Sequence, residues 1–211
     1  MTPFYRFGWI LFRALFGLLF RLRVRGTEHV PLRGPAILAA NHASFLDPPV
    51  IGAAAPRMIS YLARDTLFRN RIFGWLLRQW QAVPVDQEHA GAAGIRTILE
   101  RLAAGHAILI FPEGSRSFDG QLQPAQPGVG LVVVKSGAPV VPVRVFGTHE
   151  ALPRGRSRLR FHRLSVVFGA PMDFAALRAE AETAPKARQK EIYQEIADEI
   201  MAAIARLTPP S

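Results

Sequence analysis

Apolar positions along the chain fall into two alternating kinds of segment. Residues 36–40, 107–111, 140–146 and 164–168 form short apolar runs, several of them bounded by turn residues, as buried strands do. Weaker strand patterns cover 22–25, 58–63 and 83–85, and Pro84 marks the last as an edge strand. Between them lie stretches with helical spacing: a short one from Pro48, then 68–80, 88–104, 129–135 and 180–207. Ile95, Ile98, Leu99 and Leu102 share one helix face, and Ile192, Ile196, Ile200 and Ile204 recur at every fourth position. Gly34-Pro35 reads as a turn, and Gly105 ends the helix before it. Alternation of this kind predicts an α/β fold, a sheet flanked by helices. There is no internal repeat and no low-complexity linker.

The first 25 residues stand apart. They hold five arginines (6, 13, 21, 23, 25), no acid, and a dense set of aromatic and aliphatic side chains from Phe4 to Phe20. At about 100° per residue, Arg6, Arg13 and Arg21 fall within roughly 80° of one another. The rest of the surface is apolar. This is the pattern of a helix lying in a membrane interface with its arginines toward anionic headgroups, and an ordinary core-packing helix is the alternative. The expected organisation is therefore a membrane-associating helix over 1–25 and a catalytic domain over 26–211. Arg13 interrupts the apolar run and no small-residue cleavage site follows, so a signal peptide is not expected.

Composition narrows the chemistry. The chain has no cysteine, which removes disulfides, thiolate metal sites and cysteine nucleophiles. Net charge is +10, and with lysine only at 135, 186 and 190, 23 of the 26 basic residues are arginine. Such a balance favours an anionic partner: nucleic acid, anionic lipid or a phosphorylated substrate. The basic cluster Arg154, Arg156, Arg158, Arg160 and Arg163 alternates like one strand face, which would either be merely solvated or, in the preferred reading, attract anionic lipid or the phosphates of a substrate. It has no interleaved stacking aromatics apart from Phe161 and matches no nucleic-acid-binding motif, so nucleic acid is not the expected partner. The six histidines (29, 42, 89, 106, 149, 162) show no zinc spacing, and no Gly-x-Ser-x-Gly elbow supports a serine hydrolase built on Ser44 or Ser115.

Two motifs carry candidate chemistry. His42 follows the 36–40 strand, and Asp47 lies five residues on. A neutral imidazole can take a proton from an alcohol near pH 7, and a carboxylate on its other nitrogen fixes the tautomer. Fully extended, the two would stand about 16 Å apart, so the loop must fold back. Asn41, Ser44 and Pro48 suit such a turn. Asp47 before Pro48 also reads as a helix N-cap. The second motif, residues 111–117, follows the 107–110 strand. Ligands of parallel-type sheets sit at the carboxyl ends of strands, so it can share a mouth with His42. Gly114 permits close approach, and Arg116 offers a planar fork to a phosphate. Glu113 could hold that arginine or accept from a substrate hydroxyl; a solvated Glu113–Arg116 pair is the plain alternative.

Together, Asn41-His42 with Asp47, and Phe111-Pro112-Glu113-Gly114-Ser115-Arg116, resemble the paired signatures of the glycerolipid acyltransferases, closest to the bacterial 1-acylglycerol-3-phosphate acyltransferases. Val140-Val141-Pro142-Val143 resembles the fourth motif of that family, near the acyl pocket. Arg64 with Leu67-Phe68, Gly74-Trp75 and Val83-Pro84-Val85-Asp86 resembles its intervening region. The similarity runs from about Gly26 to Pro171. Ser115 stands where threonine is usual, Gln87 where arginine is frequent, and Gln126-Pro127 where lysine is common.

The resemblance implies a mixed, mostly parallel sheet flanked by helices, with a membrane-interfacial N-terminal helix. It implies transfer of an acyl group from a thioester, of coenzyme A or acyl carrier protein, to the 2-hydroxyl of 1-acylglycerol-3-phosphate, with no metal or cofactor and no covalent acyl-enzyme. Another lysolipid, such as an amino-acid lipid, is the alternative acceptor. His42 would be the base and Asp47 its orienter. Glu113, Gly114, Ser115, Arg116 and Arg64 would bind the acceptor phosphate, and Val141, Pro142 and Val143 would border the acyl pocket. The implied location is the cytoplasmic face of the inner membrane, against an anionic lipid surface.

Overall fold

The computed structural model describes residues 3–85 and 90–210. The expected contact region at Asp86 and Gln87, with the start of the helix placed over 88–104, lies outside the described residues. Seven strands form one sheet: β1 (Arg23–Arg25), β2 (Ala36–Ala40), β3 (Ile59–Arg64), β4 (Ala82–Val85), β5 (Ala107–Ile110), β6 (Val140–Phe146) and β7 (Ser165–Phe168). Their order is β1-β7-β6-β2-β5-β3-β4. The five strands from β6 to β4 run parallel; β7 is antiparallel to β6 and parallel to β1. The sheet is thus mixed and mostly parallel, as expected, and Pro84 sits in an edge strand.

Alternation along the central strands sorts side chains to two cores. Ala36, Leu38 and Ala40 of β2 face one core with Leu109, Val141, Val143 and Phe168. Ile37 and Ala39 face the other with Ile108, Val140 and the helical isoleucines 192, 196, 200 and 204. On the first side lie helices α1 (Pro3–Phe20) and α2 (Asp47–Ala54). On the second lie α4 (Ala90–Ala103), α5 (Gly128–Ser136), α7 (Ala175–Thr183) and α8 (Lys186–Arg206). Helix α3 (Arg71–Gln79) precedes the edge strand β4, and the one-turn α6 (Thr148–Ala151) follows β6. Helices α5 and α8 approach closely at Gly130, where a Cβ would stand 2.0 Å from the Tyr193 carbonyl oxygen.

Four expectations change. The helix placed over 180–207 is two helices, because Pro185 drives Ala184 into an extended conformation (φ −68°, ψ 148°) and α8 starts afresh after it. The helix placed over 68–80 begins only at Arg71, where the Asn70 side chain accepts from the Phe73 N–H. Arginines 156, 158 and 160 lie on irregular, exposed chain rather than on a strand. Finally, within the segment expected over 1–25 the helix stops at Phe20, where Arg21 takes a left-handed φ of 49° and Leu22 N–H bonds to Phe16 O, and residues 23–25 join the sheet as β1, as the strand pattern over 22–25 predicts.

Helix α1 packs against the core along one face and leaves the other exposed. Tyr5, Phe16 and Phe20 are buried, and Trp9 Nε1 donates to Ala55 O at 3.0 Å. Arg13 turns inward to Ala53 O at 3.3 Å and stacks over Trp9. The opposite face leaves Phe7, Ile10, Leu11 and Leu18 exposed, and Phe4 meets exposed Trp75 of α3 edge-on at 5.2 Å. Among the described residues no helix is long and apolar enough to cross a membrane.

Candidate active site

Four adjacent parallel strands end on the same edge of the sheet, and the chain leaving each one supplies part of the site. His42 follows β2, Glu113 to Arg116 follow β5, Arg64 closes β3, and residues 147–154 follow β6. The loop after β2 folds back as its spacing required. His42 Nδ1 stands 2.8 Å from Asp47 Oδ2. That oxygen also accepts from Ala43 N at 2.7 Å and Ser44 N at 2.8 Å. Asp47 is fully buried in the first turn of α2, and its carboxylate organises the loop before the helix. A carboxylate oxygen only accepts, so Nδ1 carries a proton, and in the neutral ring Nε2 then keeps its lone pair. The Phe111 ring stacks on the imidazole at 3.8 Å and 13°.

The backbone of His42 is held from both sides. Its N–H donates to Glu113 Oε1 at 2.8 Å, and its carbonyl accepts from Ser117 N at 2.8 Å. Glu113 Oε2 accepts from Gln123 N at 3.2 Å. Neither oxygen is bonded to Arg116, so the pair expected between them is replaced by a strut joining the two loops. Burial pushes the Glu113 carboxyl up to about 7, against its two backbone hydrogen bonds; nearby Asp47 adds to the rise. Gly114, at φ 71°, makes the turn that carries the chain past the strut.

Asn41, read from the sequence only as a turn residue, mimics a strand partner. Its Oδ1 accepts from Val145 N at 2.8 Å, and its Nδ2 donates to Val145 O at 3.1 Å. Ser44 ties the same loop to the chain after β6: Oγ donates to Leu152 O at 2.7 Å, and Ser44 bridges Pro153.

The cationic part of the site is richer than expected. Arg116 lies over Phe45 at 3.5 Å, with its Nη1 buried and without a hydrogen bond. Burial lowers its pKa, and Arg154 and Arg64 lower it further. Among the described residues no carboxylate pairs with Arg64, Arg116 or Arg154. The sequence groups Arg154 with a basic cluster for anionic lipid or substrate phosphates, and no local periodicity places it beside Arg116. Ser115 is exposed on the same loop.

The residues expected to border the acyl pocket lie inside the sheet. Val141 and Val143 have no exposed surface and belong to the core beneath α1 and α2, and Pro142 is buried as well, because β6 is an internal strand. An apolar crevice on that side is lined by Tyr5, Trp9, Phe12, Pro49, Tyr61 and Trp80.

An imidazole with a free Nε2, backed by a buried carboxylate and set beside unpaired guanidinium groups, can deprotonate a hydroxyl on an anionic molecule. The acyltransferase family model matches residues 21–146, and the chain belongs to that family. It is 27% identical over 184 residues to a 1-acyl-sn-glycerol-3-phosphate acyltransferase of Bacillus subtilis, covering 85% of this chain and 89% of the relative. A chloroplastic 1-acyl-sn-glycerol-3-phosphate acyltransferase of Brassica napus is also 27% identical, over 68% of this chain but only 42% of its own length. The chain thus spans less than half of the plastid relative and most of the Bacillus one. The crystal structure of a 1-acyl-sn-glycerophosphate acyltransferase from Thermotoga maritima superposes with a TM-score of 0.75, covering 98% of this chain and 81% of that one. At 23% identity this is a likeness of fold.

Proposed function

We propose that this acyltransferase moves a fatty acyl group from a thioester, of coenzyme A or acyl carrier protein, to the 2-hydroxyl of 1-acylglycerol-3-phosphate, giving phosphatidic acid. The observation that carries the reading is the His42 Nδ1–Asp47 Oδ2 contact at 2.8 Å, set at the same edge of the sheet as arginines that no carboxylate neutralises among the described residues. The names of the relatives from Bacillus and Brassica support the same substrate.

In this mechanism His42 Nε2 takes the proton of the acceptor hydroxyl as its oxygen attacks the thioester carbonyl. Asp47 stabilises the imidazolium that forms. The tetrahedral oxyanion then collapses, the C–S bond breaks, and the imidazolium returns its proton to the departing thiolate. Arg116 and Arg64 hold the acceptor phosphate. Glu113 serves by fixing the loop that carries His42 rather than by touching the phosphate.

The exposed apolar face of α1 suits a molecule whose acceptor and product both reside in a bilayer. Seated on an anionic leaflet, Phe7, Leu11 and Leu18 would enter the interface. The cytoplasmic face of the inner membrane is where thioester donors and such lipids meet.

Comparing turnover of 1-acylglycerol-3-phosphate with that of the neutral 1-monoacylglycerol tests the reading. Strong preference for the phosphate-bearing acceptor is expected. Equal rates, or preference for an amino-acid lysolipid, would overturn it.

A further inference from the structure

Arg154 lies outside the two sequence motifs, yet it is built into the site. The chain that carries it is stitched to the His42 loop, through Ser44 Oγ to Leu152 O at 2.7 Å and the Ser44–Pro153 bridge. Its own Nη1 donates to the carbonyl of Arg116, and its guanidinium lies 3.8 Å over the Phe118 ring. It therefore clamps the loop after β5 from the side of β6, and brings a second positive charge close enough to lower the pKa of Arg116. Two guanidinium groups held together without a carboxylate repel each other. Among the described residues, one carbonyl and two aromatic faces are the protein groups that offset that repulsion.

We propose that Arg154 is a further binding residue for the anionic headgroup of the acceptor, acting with Arg116 as a pair that recognises a doubly charged phosphate monoester. This rests on the acceptor reading above and adds to it a residue and a charge preference. The anion supplies the negative charge that the protein withholds. A monoester, with up to two charges, satisfies both forks; a zwitterionic or neutral headgroup satisfies neither. The Arg116 carbonyl holds one Nη1 hydrogen, and the other donors of Arg154 have no acceptor among the described residues.

Two measurements on the full chain test this with Arg154→Gln and Arg154→Lys. The first is steady-state kinetics. Arg154→Gln should raise the KM for 1-acylglycerol-3-phosphate about tenfold or more, the loss of one charged hydrogen bond, with kcat and the thioester KM within about twofold of wild type. Arg154→Lys should recover part of the loss. A residue that only braced the loop would lower kcat and leave the two KM values moving together.

The second measurement is direct binding, read as the rise in melting temperature on adding micellar 1-acylglycerol-3-phosphate or neutral 1-monoacylglycerol. Wild type should respond to the phosphate form alone, and Arg154→Gln should lose that response while its unliganded melting temperature stays near wild type. If wild type binds the phosphate lipid and needs Arg154 but does not turn it over, the inference stands and the assigned reaction fails. Unchanged acceptor KM and binding in Arg154→Gln would overturn the inference, as would equal binding of the two lipids by wild type. If Arg154→Gln does not fold, Arg154→Lys decides: wild-type affinity for the phosphate lipid would overturn the paired-fork account, and several-fold weaker binding would support it.

Discussion

The Glu113 carboxylate holds the backbone N–H of His42 at 2.8 Å, across 71 residues of sequence. The motif after β5 therefore sets the position of the motif after β2, and the two form one site because a buried acid joins them. That acid is out of balance with its surroundings: burial raises its pKa to about 7.

The raised value sets a pH signature. A folded-state pKa above the unfolded one means that the native chain binds the extra proton. The associated stability is complete below the unfolded value of about 4.3 and is lost as pH rises through about 7. Glu113→Gln cannot titrate. The melting temperature of wild type minus that of Glu113→Gln should therefore fall steadily between pH 5 and 8. A difference independent of pH would show that Glu113 carries no such shift.

Asp47→Asn tests the orienting role. Its amide oxygen would have to face three donors, which places the amide nitrogen where Oδ1 now lies, buried and without a hydrogen bond. An unsatisfied buried N–H costs about 1–3 kcal/mol, or about 2–4 °C of melting temperature per kcal/mol for a chain of this size. Turnover should fall less than in a variant lacking the base, because the imidazole remains. Wild-type stability together with wild-type turnover would refute the assigned role.

Arg116→Lys separates charge from geometry. Lysine keeps the charge but loses both the planar fork and the stack on Phe45. The acceptor KM should rise roughly ten- to a hundredfold, the equivalent of about 1.5–3 kcal/mol, while the thioester KM changes much less. An unchanged acceptor KM would leave Arg116 as a residue that merely shapes the loop.

Much of this fold was legible because uninterrupted apolar runs have few alternatives in a chain of this length. Strands β2 and β6 fall where those runs predict them, and the register of isoleucines 192–204 marks the buried face of α8. The misread places are those where a single residue or a distant partner decides. Pro185 splits a helical pattern that periodicity alone would continue. The arginines from 154 to 160 alternate like a strand face, but no strand pairs with them, and Arg154 instead meets Arg116. His42 and Asp47 were legible as a pair because a turn of five residues brings them together by itself. The partner of Glu113 was not, since an acid beside an arginine gives no hint that it will reach a backbone amide 71 residues away.

The account stands most directly on His42 as the base. Purified wild type and His42→Ala should be compared for release of free thiol from an acyl thioester, dependent on 1-acylglycerol-3-phosphate, at saturating substrates. Wild type should turn over, and His42→Ala should lose roughly 10²–10⁴-fold in kcat with little change in melting temperature, since its loop remains held by Glu113, Asp47 and Ser117. A His42→Ala variant that keeps more than about a tenth of the wild-type kcat would contradict the central claim.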